Sequence, residues 1–294
     1  GSIETYQSNN VSYVYTLYGI NLDNNNLNLF TNFSGQISNI NFNVNYQYDL
    51  SIGTNAYLGV FDTNNGTLNN VSVVFSGDAN INQLQNSAPY IYFGGLVGEN
   101  RGDISYTSNS IVGSQGSIDL SGDANVYFGG LVGRNLANIS GFDSSSETTL
   151  NANYSILSDT DASSDVIFSV YIANEGALAD ININSSMSNI NSAVGGIIGI
   201  NDYESGDIGR LSNAFVTGTI SGLDNIGGVI GINRTPAISM TFNINNGEIN
   251  SINQTENRDE PVYYVENVTS NVVINARNKV GGIVGLDDGG SYKE

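Results

Sequence analysis

An eight-residue block that returns almost unchanged limits what this chain can fold into more than any other feature. Phe93-Gly-Gly-Leu-Val-Gly-Glu-Asn100 and Phe128-Gly-Gly-Leu-Val-Gly-Arg-Asn135 differ at one position, and shorter forms follow at Gly195–Asn201, Gly227–Asn233 and Gly281–Asp287. Three glycines and an asparagine recur in fixed spacing: Gly94, Gly95, Gly98 and Asn100; Gly129, Gly130, Gly133 and Asn135; Gly195, Gly196, Gly199 and Asn201; Gly227, Gly228, Gly231 and Asn233. A fifth set is Gly281, Gly282 and Gly285. A Gly-x-Ile/Leu step follows each block, anchored at Gly35, Gly66, Gly102, Ala137 (in place of Gly), Gly176, Gly206, Gly247 and Gly289. The anchors span 254 residues in seven intervals, a mean of about 36. Weak copies of the block sit where this register requires them, at Tyr57–Phe61 and Phe168–Ile172.

Between the glycines the pattern has period two, as in Ile40, Phe42, Val44, Tyr46 and Tyr48 with Asn or Gln between them. Such alternation describes strands with one buried face. Asn, Asp, Gly and Ser gather between the strands, residues that tolerate left-handed backbone and bond their own main chain in turns. A repeat too small to bury its own apolar face must stack on its neighbours. The expected fold is therefore all-β, a right-handed parallel β-solenoid (β-helix) of about eight coils with about 36 residues per coil, the hand following the preference of crossover connections. Residues 1–30 are read as a first partial coil, 31–290 as the solenoid and 291–294 as the end of an excised fragment, since Gly1-Ser2 resembles a cloning remnant. The glycines permit close backbone approach between coils, and the recurring Asn side chains can form an amide ladder.

The segment Asn213-Ala-Phe-Val-Thr-Gly-Thr-Ile-Ser-Gly-Leu-Asp-Asn-Ile-Gly-Gly-Val-Ile-Gly-Ile-Asn233 resembles the GLUG repeat, and the likeness runs over roughly residues 30–290. That repeat occurs in bacterial secreted and cell-surface proteins, including filamentous haemagglutinin-like adhesins and repeat regions of immunoglobulin A peptidases. The resemblance implies a non-enzymatic stalk or ligand-binding region of an adhesin, extracellular or on the bacterial surface. Its partner would be a host-cell surface protein, a glycan or a neighbouring bacterial surface. A structural spacer on a secreted enzyme and a glycan-binding fibre module are the alternatives it leaves open. The chain departs from the repeat at 234–246 and 253–264, two insertions expected to bulge from the rod. These put Arg234, Tyr263 and Tyr264 forward as ligand-binding candidates.

Charge narrows the partners further. Eight Lys and Arg against 28 Asp and Glu give a formal charge of −20, which disfavours nucleic acid and acidic membranes. The chain has no Cys and no His, which excludes disulfides, thiolate or imidazole catalysis and the common zinc sites. No cofactor is expected. Asp159, Asp161 and Asp165 form a candidate calcium loop without the Gly and distal Glu of an EF-hand, and Asp202, Glu204 and Asp207 with Asp287-Asp288 form weaker ones. Arg101-Gly102-Asp103 spells an integrin tripeptide, yet Gly102 is a repeat anchor and its flanks fill variable slots. The Gly-Gly block lacks the Lys-Ser/Thr of a phosphate loop, and its repetition marks it as structural. Tyr90, Tyr92 and Tyr127 precede Gly-Gly blocks, where packing between coils is the expected role. Unpaired strands at either end of a stack would leave end-to-end self-association open.

Overall fold

The computed structural model describes residues 14–85, 87–107, 111–142, 147–151, 167–171, 178–204, 207–234, 240–245, 248–254, 265–288 and 292–293. Among these residues there is no helix, and three parallel sheets carry the fold. The tyrosine sheet pairs Ala56–Leu58, Tyr90–Gly94, Asn125–Gly129, Ala193–Gly195, Asp224–Gly227 and Asn278–Gly281. Two residues further along the chain, the asparagine sheet pairs Phe61–Asn64, Val97–Asn100, Val132–Asn135, Ile198–Asn201, Ile230–Asn233 and Val284–Asp287. The long sheet begins with Tyr15–Asp23, Gln36–Ile52 and Thr67–Gln83 and ends with Arg210–Ser221, Val265–Asn275 and Tyr292–Lys293. The chain visits the sheets in the same order on each pass, so every pass adds one layer. Phe30 and Phe33, bridged to Phe61 and Asn64, add a first layer to the asparagine sheet.

Two layers of the long sheet are interrupted. One consists of Asp103–Ser105 and Ser114–Ser121, the other of Asn138–Ser140 and Ala179–Ser185. The unbroken strands Thr67–Gln83 and Arg210–Ser221 pair with both halves, so the pairings close a ring of six strands.

The weak block at Tyr57–Phe61 is a layer, paired with Tyr92–Phe93 and Val97. The block at Phe168–Ile172 is not. Ile167–Tyr171 instead runs antiparallel to Glu147–Asn151, and Asn135 pairs directly with Asn201 across the gap this leaves. Likewise Glu248–Gln254 runs antiparallel to Met240–Asn245 and joins none of the three parallel sheets, so this segment, between and beside the insertions expected at 234–246 and 253–264, adds no layer. Gly209, and not Gly206, precedes the strand in register with Asn138. The described layers of the asparagine sheet number six and the Phe30–Phe33 bridges make a seventh, one fewer than eight coils.

One continuous apolar core runs through the layers, filled from all three sheets by residues such as Phe42, Tyr46, Phe75, Phe93, Phe128, Ile181, Ile198 and Val216. Phe93 and Phe128 meet edge to face at 5.0 Å between ring centroids, a favoured aromatic geometry. Tyr46 donates its phenol proton to the Gly95 carbonyl at 2.8 Å, tying the long sheet to the glycine corner. Burial pushes that phenol far above its ordinary pKa, so it stays a donor.

Each glycine of the block has its own neighbour. A Cβ at Gly129 would strike the Val132 carbonyl, one at Gly130 the Gly196 carbonyl in the next layer, and one at Gly133 the backbone of Tyr92 and Phe93. The requirement is close approach of backbone to backbone, with no left-handed φ at any of the three. Beside this seam runs a ladder of buried amides. Asn64 donates to Asn100 at 2.8 Å, Asn100 to Asn135 at 3.0 Å, Asn135 to Asn201 at 3.0 Å, Asn201 to Asn233 at 2.9 Å, and Asn233 to Asp287 at 3.5 Å. The first five side chains are fully buried. Asn135 also donates to the carbonyls of Ala137 and Arg210, so the ladder holds the turn into the long sheet as well.

Replacing Asn135 with Ala would strand buried donors and acceptors on both sides, and chemical denaturation should show a loss of roughly 3 kcal/mol. Gly130→Ala should cost roughly 2 kcal/mol or more by overpacking against backbone. Gly282→Ala, where nothing lies within 4 Å, should leave the midpoint nearly unchanged.

Candidate functional site

Where insertions leave the layers is set by two recurring asparagine positions. The ladder position is one. Residues 202–209 follow Asn201 and residues 234–264 follow Asn233, whereas residues 136–137 suffice after Asn135. The other lies on the long sheet, where Asn39, Asn70, Asn213 and Asn267 all adopt left-handed backbone, with φ between 52° and 54°. Asn70 donates to Asn39 and Asn267 to Asn213, each at 3.1 Å. Residues 106–113 and 141–178 leave at this bend, in layers between those of Asn70 and Asn213, and Asn70 holds the root of the first through Thr107 at 2.8 Å.

Between the two exits lie the short strands Asp103–Ser105 and Asn138–Ser140, with residues 210–212 and 265–266 in register beside them. Ile104, Ile139, Leu211 and Val265 point into the core. The alternate residues face out and line a groove of about 500 Å³. Ser105, Ser140, Ser212 and Glu266 form one row along the stack, flanked by Thr67, Asp103, Asn138 and Arg210. Asn138 donates to Asp103 at 3.2 Å, whereas the side chains of the three serines and of Glu266 make no hydrogen bond with the described residues. The volume is within the range of small-ligand sites, and the lining mixes polar side chains with apolar surface from the strands of Ile104, Ile139 and Leu211.

A charged network lies at the chain positions just before Asp103, Asn138 and Arg210. Glu99 accepts from Arg101 Nε at 2.6 Å and from Arg134 Nη1 at 2.8 Å, and Arg134 reaches Asp202 at 3.0 Å. Arg101 also binds Glu204, and Asp207 at 3.3 Å, both on the 202–209 insertion. Arg234 lies 3.8 Å from Asp202 and 3.7 Å from Asp288. Three arginines, two at or beside the Phe93 and Phe128 blocks and one after the Gly227 block, thus hold the insertion by ion pairs. The buried ends of the network rest on a second apolar cluster, separated from the main core, in which Tyr92 and Tyr127 pack with Ala193, Ile200 and Ile232. Tyr57, Tyr92 and Tyr127 stack successively at 5.5 and 5.6 Å, and the Arg134 guanidinium sits 5.4 Å over the Tyr92 ring.

These positions revise several readings of the sequence. Arg101 of the Arg-Gly-Asp tripeptide is held by three carboxylates, and Asp103 accepts from Asn138 across layers. Asp202, Glu204 and Asp207 face guanidinium groups, and no cluster of metal-binding side chains occurs among the described residues. Of the tyrosines before the glycine blocks, Tyr92 and Tyr127 are buried and Tyr90 is exposed. Arg234 sits at the root of its insertion, whereas Tyr263, Tyr264, Asp159, Asp161 and Asp165 lie outside the described residues. The serine row carried no motif. Its signal was positional, the outward residue after each Gly-x-Ile/Leu step, visible only once the layers are aligned. No protein-family model, curated protein or solved structure matches the chain.

Removing Arg134 leaves Glu99 and Asp202 buried with less compensation, so Arg134→Met should destabilise by roughly 3 kcal/mol in urea titration. Arg101 donates to Glu204, and Arg134 adds its charge nearby, which holds that carboxyl below its ordinary 4.5. The folded state then binds this proton more weakly than the unfolded one, so the contribution is present above the unfolded value and is lost as pH falls through the folded one. Below pH 4.5 the melting temperature should fall more steeply in the wild type than in Glu204→Gln.

Proposed function

We propose that the chain is a right-handed parallel β-solenoid of seven levels that serves as a non-catalytic, ligand-displaying region of a bacterial surface or secreted adhesin. One observation carries the reading. Four insertions fall on four successive layers, 106–113 and 141–178 after the short strands Asp103–Ser105 and Asn138–Ser140, and 202–209 and 234–264 before the neighbouring strands Arg210–Ser221 and Val265–Asn275, and the groove lies across these same four strands. A pure spacer has no need to gather its insertions, because each costs ordering entropy without adding to the core. Loops collected on one face of a repetitive scaffold are the usual way such scaffolds bind. The parallel register, the buried amide ladder and the resemblance to the GLUG repeat all support a rigid support for that face. With layers about 4.8 Å apart, seven levels make a stack about 29 Å long.

Beads coated with the protein should retain cells from a panel of epithelial and bacterial types, and soluble protein should compete the attachment away. Failure to retain any of them would favour the spacer reading.

A further inference from the structure

We propose that the groove over Ser105, Ser140 and Ser212 binds a neutral oligosaccharide, an inference that rests on the display reading and names its ligand class. The groove floor lies within the sheet and not at its edge. Asn138–Ser140 is paired in parallel on both sides, with Asp103–Ser105 and with residues 210–212, so its backbone is committed. A peptide therefore cannot add as a strand there, and side chains alone must make the contacts. Ile104, Ile139 and Leu211 turn their side chains to the core, so the side chains that stand out from the floor are hydroxyls, carboxylates, an amide and a guanidinium.

What faces outward suits sugar hydroxyls, each of which donates and accepts. The three serine hydroxyls stand in register about 4.8 Å apart along the stack, and each can do either. Asp103 and Glu266 accept, and the Asn138 amide donates and accepts. The charged lining residues are two carboxylates, Asp103 and Glu266, against one guanidinium. The Arg210 guanidinium among the lining residues, and the bond already made between Asp103 and Asn138, offset the carboxylates against a cationic ligand. The −20 charge of the whole chain repels an anionic one. A neutral polyhydroxylated chain remains, laid across successive layers so that the serine row meets consecutive sugars.

The test uses immobilised tetra- to hexasaccharides of glucan, mannan, xylan and chitin type, with oligogalacturonate and sulfated oligosaccharides as anionic probes. At least one neutral series should be retained. Ser140→Trp and Ser212→Trp, which fill the floor from its outer face, should each weaken that binding by at least about tenfold without shifting the melting temperature. Should either bulky variant unfold, Asp103→Asn and Glu266→Gln keep the shape and should still weaken it. Asn182→Trp, outside the groove on the same sheet, should bind as the wild type does. Retention of no neutral probe, retention of anionic probes alone, or binding unaffected by the groove variants would overturn the assignment. Cell attachment that survives Ser140→Trp would remove this site and leave the display reading standing; absence of attachment in the wild type would remove the display reading itself.

Discussion

A side chain at Gly130 would occupy the space of the Gly196 carbonyl, one at Gly196 that of the Gly228 carbonyl, and one at Gly228 that of the Gly282 carbonyl. The layers of this protein are in contact through bare backbone, and the remaining structure is arranged around that contact. Backbone packed so closely leaves no room for water to satisfy polar groups, so the corner must be satisfied from within. The asparagine that closes each block does this, bonding the next amide along the stack and the carbonyls of the following turn. Glycine seam and amide ladder are one device, since the ladder fixes the register in which the glycines coincide.

Such a corner is rigid, and variation is confined to the places where the chain leaves it. After Asn201 and Asn233, and at the left-handed bend marked by Asn70 and Asn213, the backbone already turns, so additional residues can leave without breaking a pairing. The groove lies between these two kinds of exit, one after the three-residue strands and the other before the strands paired beside them. The arginine network holds one of these insertions. Arg134 fills a variable position of its block and Arg101 the position after its own, both pairing with Glu99, and together they bind the acidic residues of 202–209.

The stack is also polar along its axis. At its beginning, Phe30 stacks on Phe61 at 4.7 Å and Phe33 meets it edge to face at 5.3 Å, so aromatic rings cover the first full layer. At the other end Val273 and Val280 are 63% and 48% exposed, and Val268, Val272, Ile274 and Ile283 are only partly buried. A parallel stack gains its core one layer at a time, so the terminal layer always has one unburied side.

The alternation at Ile40–Tyr48, the three glycines of each block and the asparagines that follow them were sufficient to read parallel layers, a close-packed corner and an amide ladder, because each is a local property repeated in register. The weak block at Tyr57–Phe61 was read as a layer for the same reason, and it is one. The same reasoning failed at Phe168–Ile172 and at Glu248–Gln254, whose alternation is equally good. Period two reports only that one face of a strand is covered. It does not say whether the cover is the next layer or an antiparallel neighbour a few residues away, and hairpin partners win where an intervening stretch can fold back locally. The groove was beyond the sequence for a related reason. Ser105, Ser140 and Ser212 are ordinary outward residues in the chain, separated by 35 and 72 positions, and become a row only through pairings that skip a 38-residue insertion, 141–178. The sequence by itself determined what each layer is made of; which segments are layers, and which side chains therefore meet, depended on non-local pairing that only the tertiary structure decided.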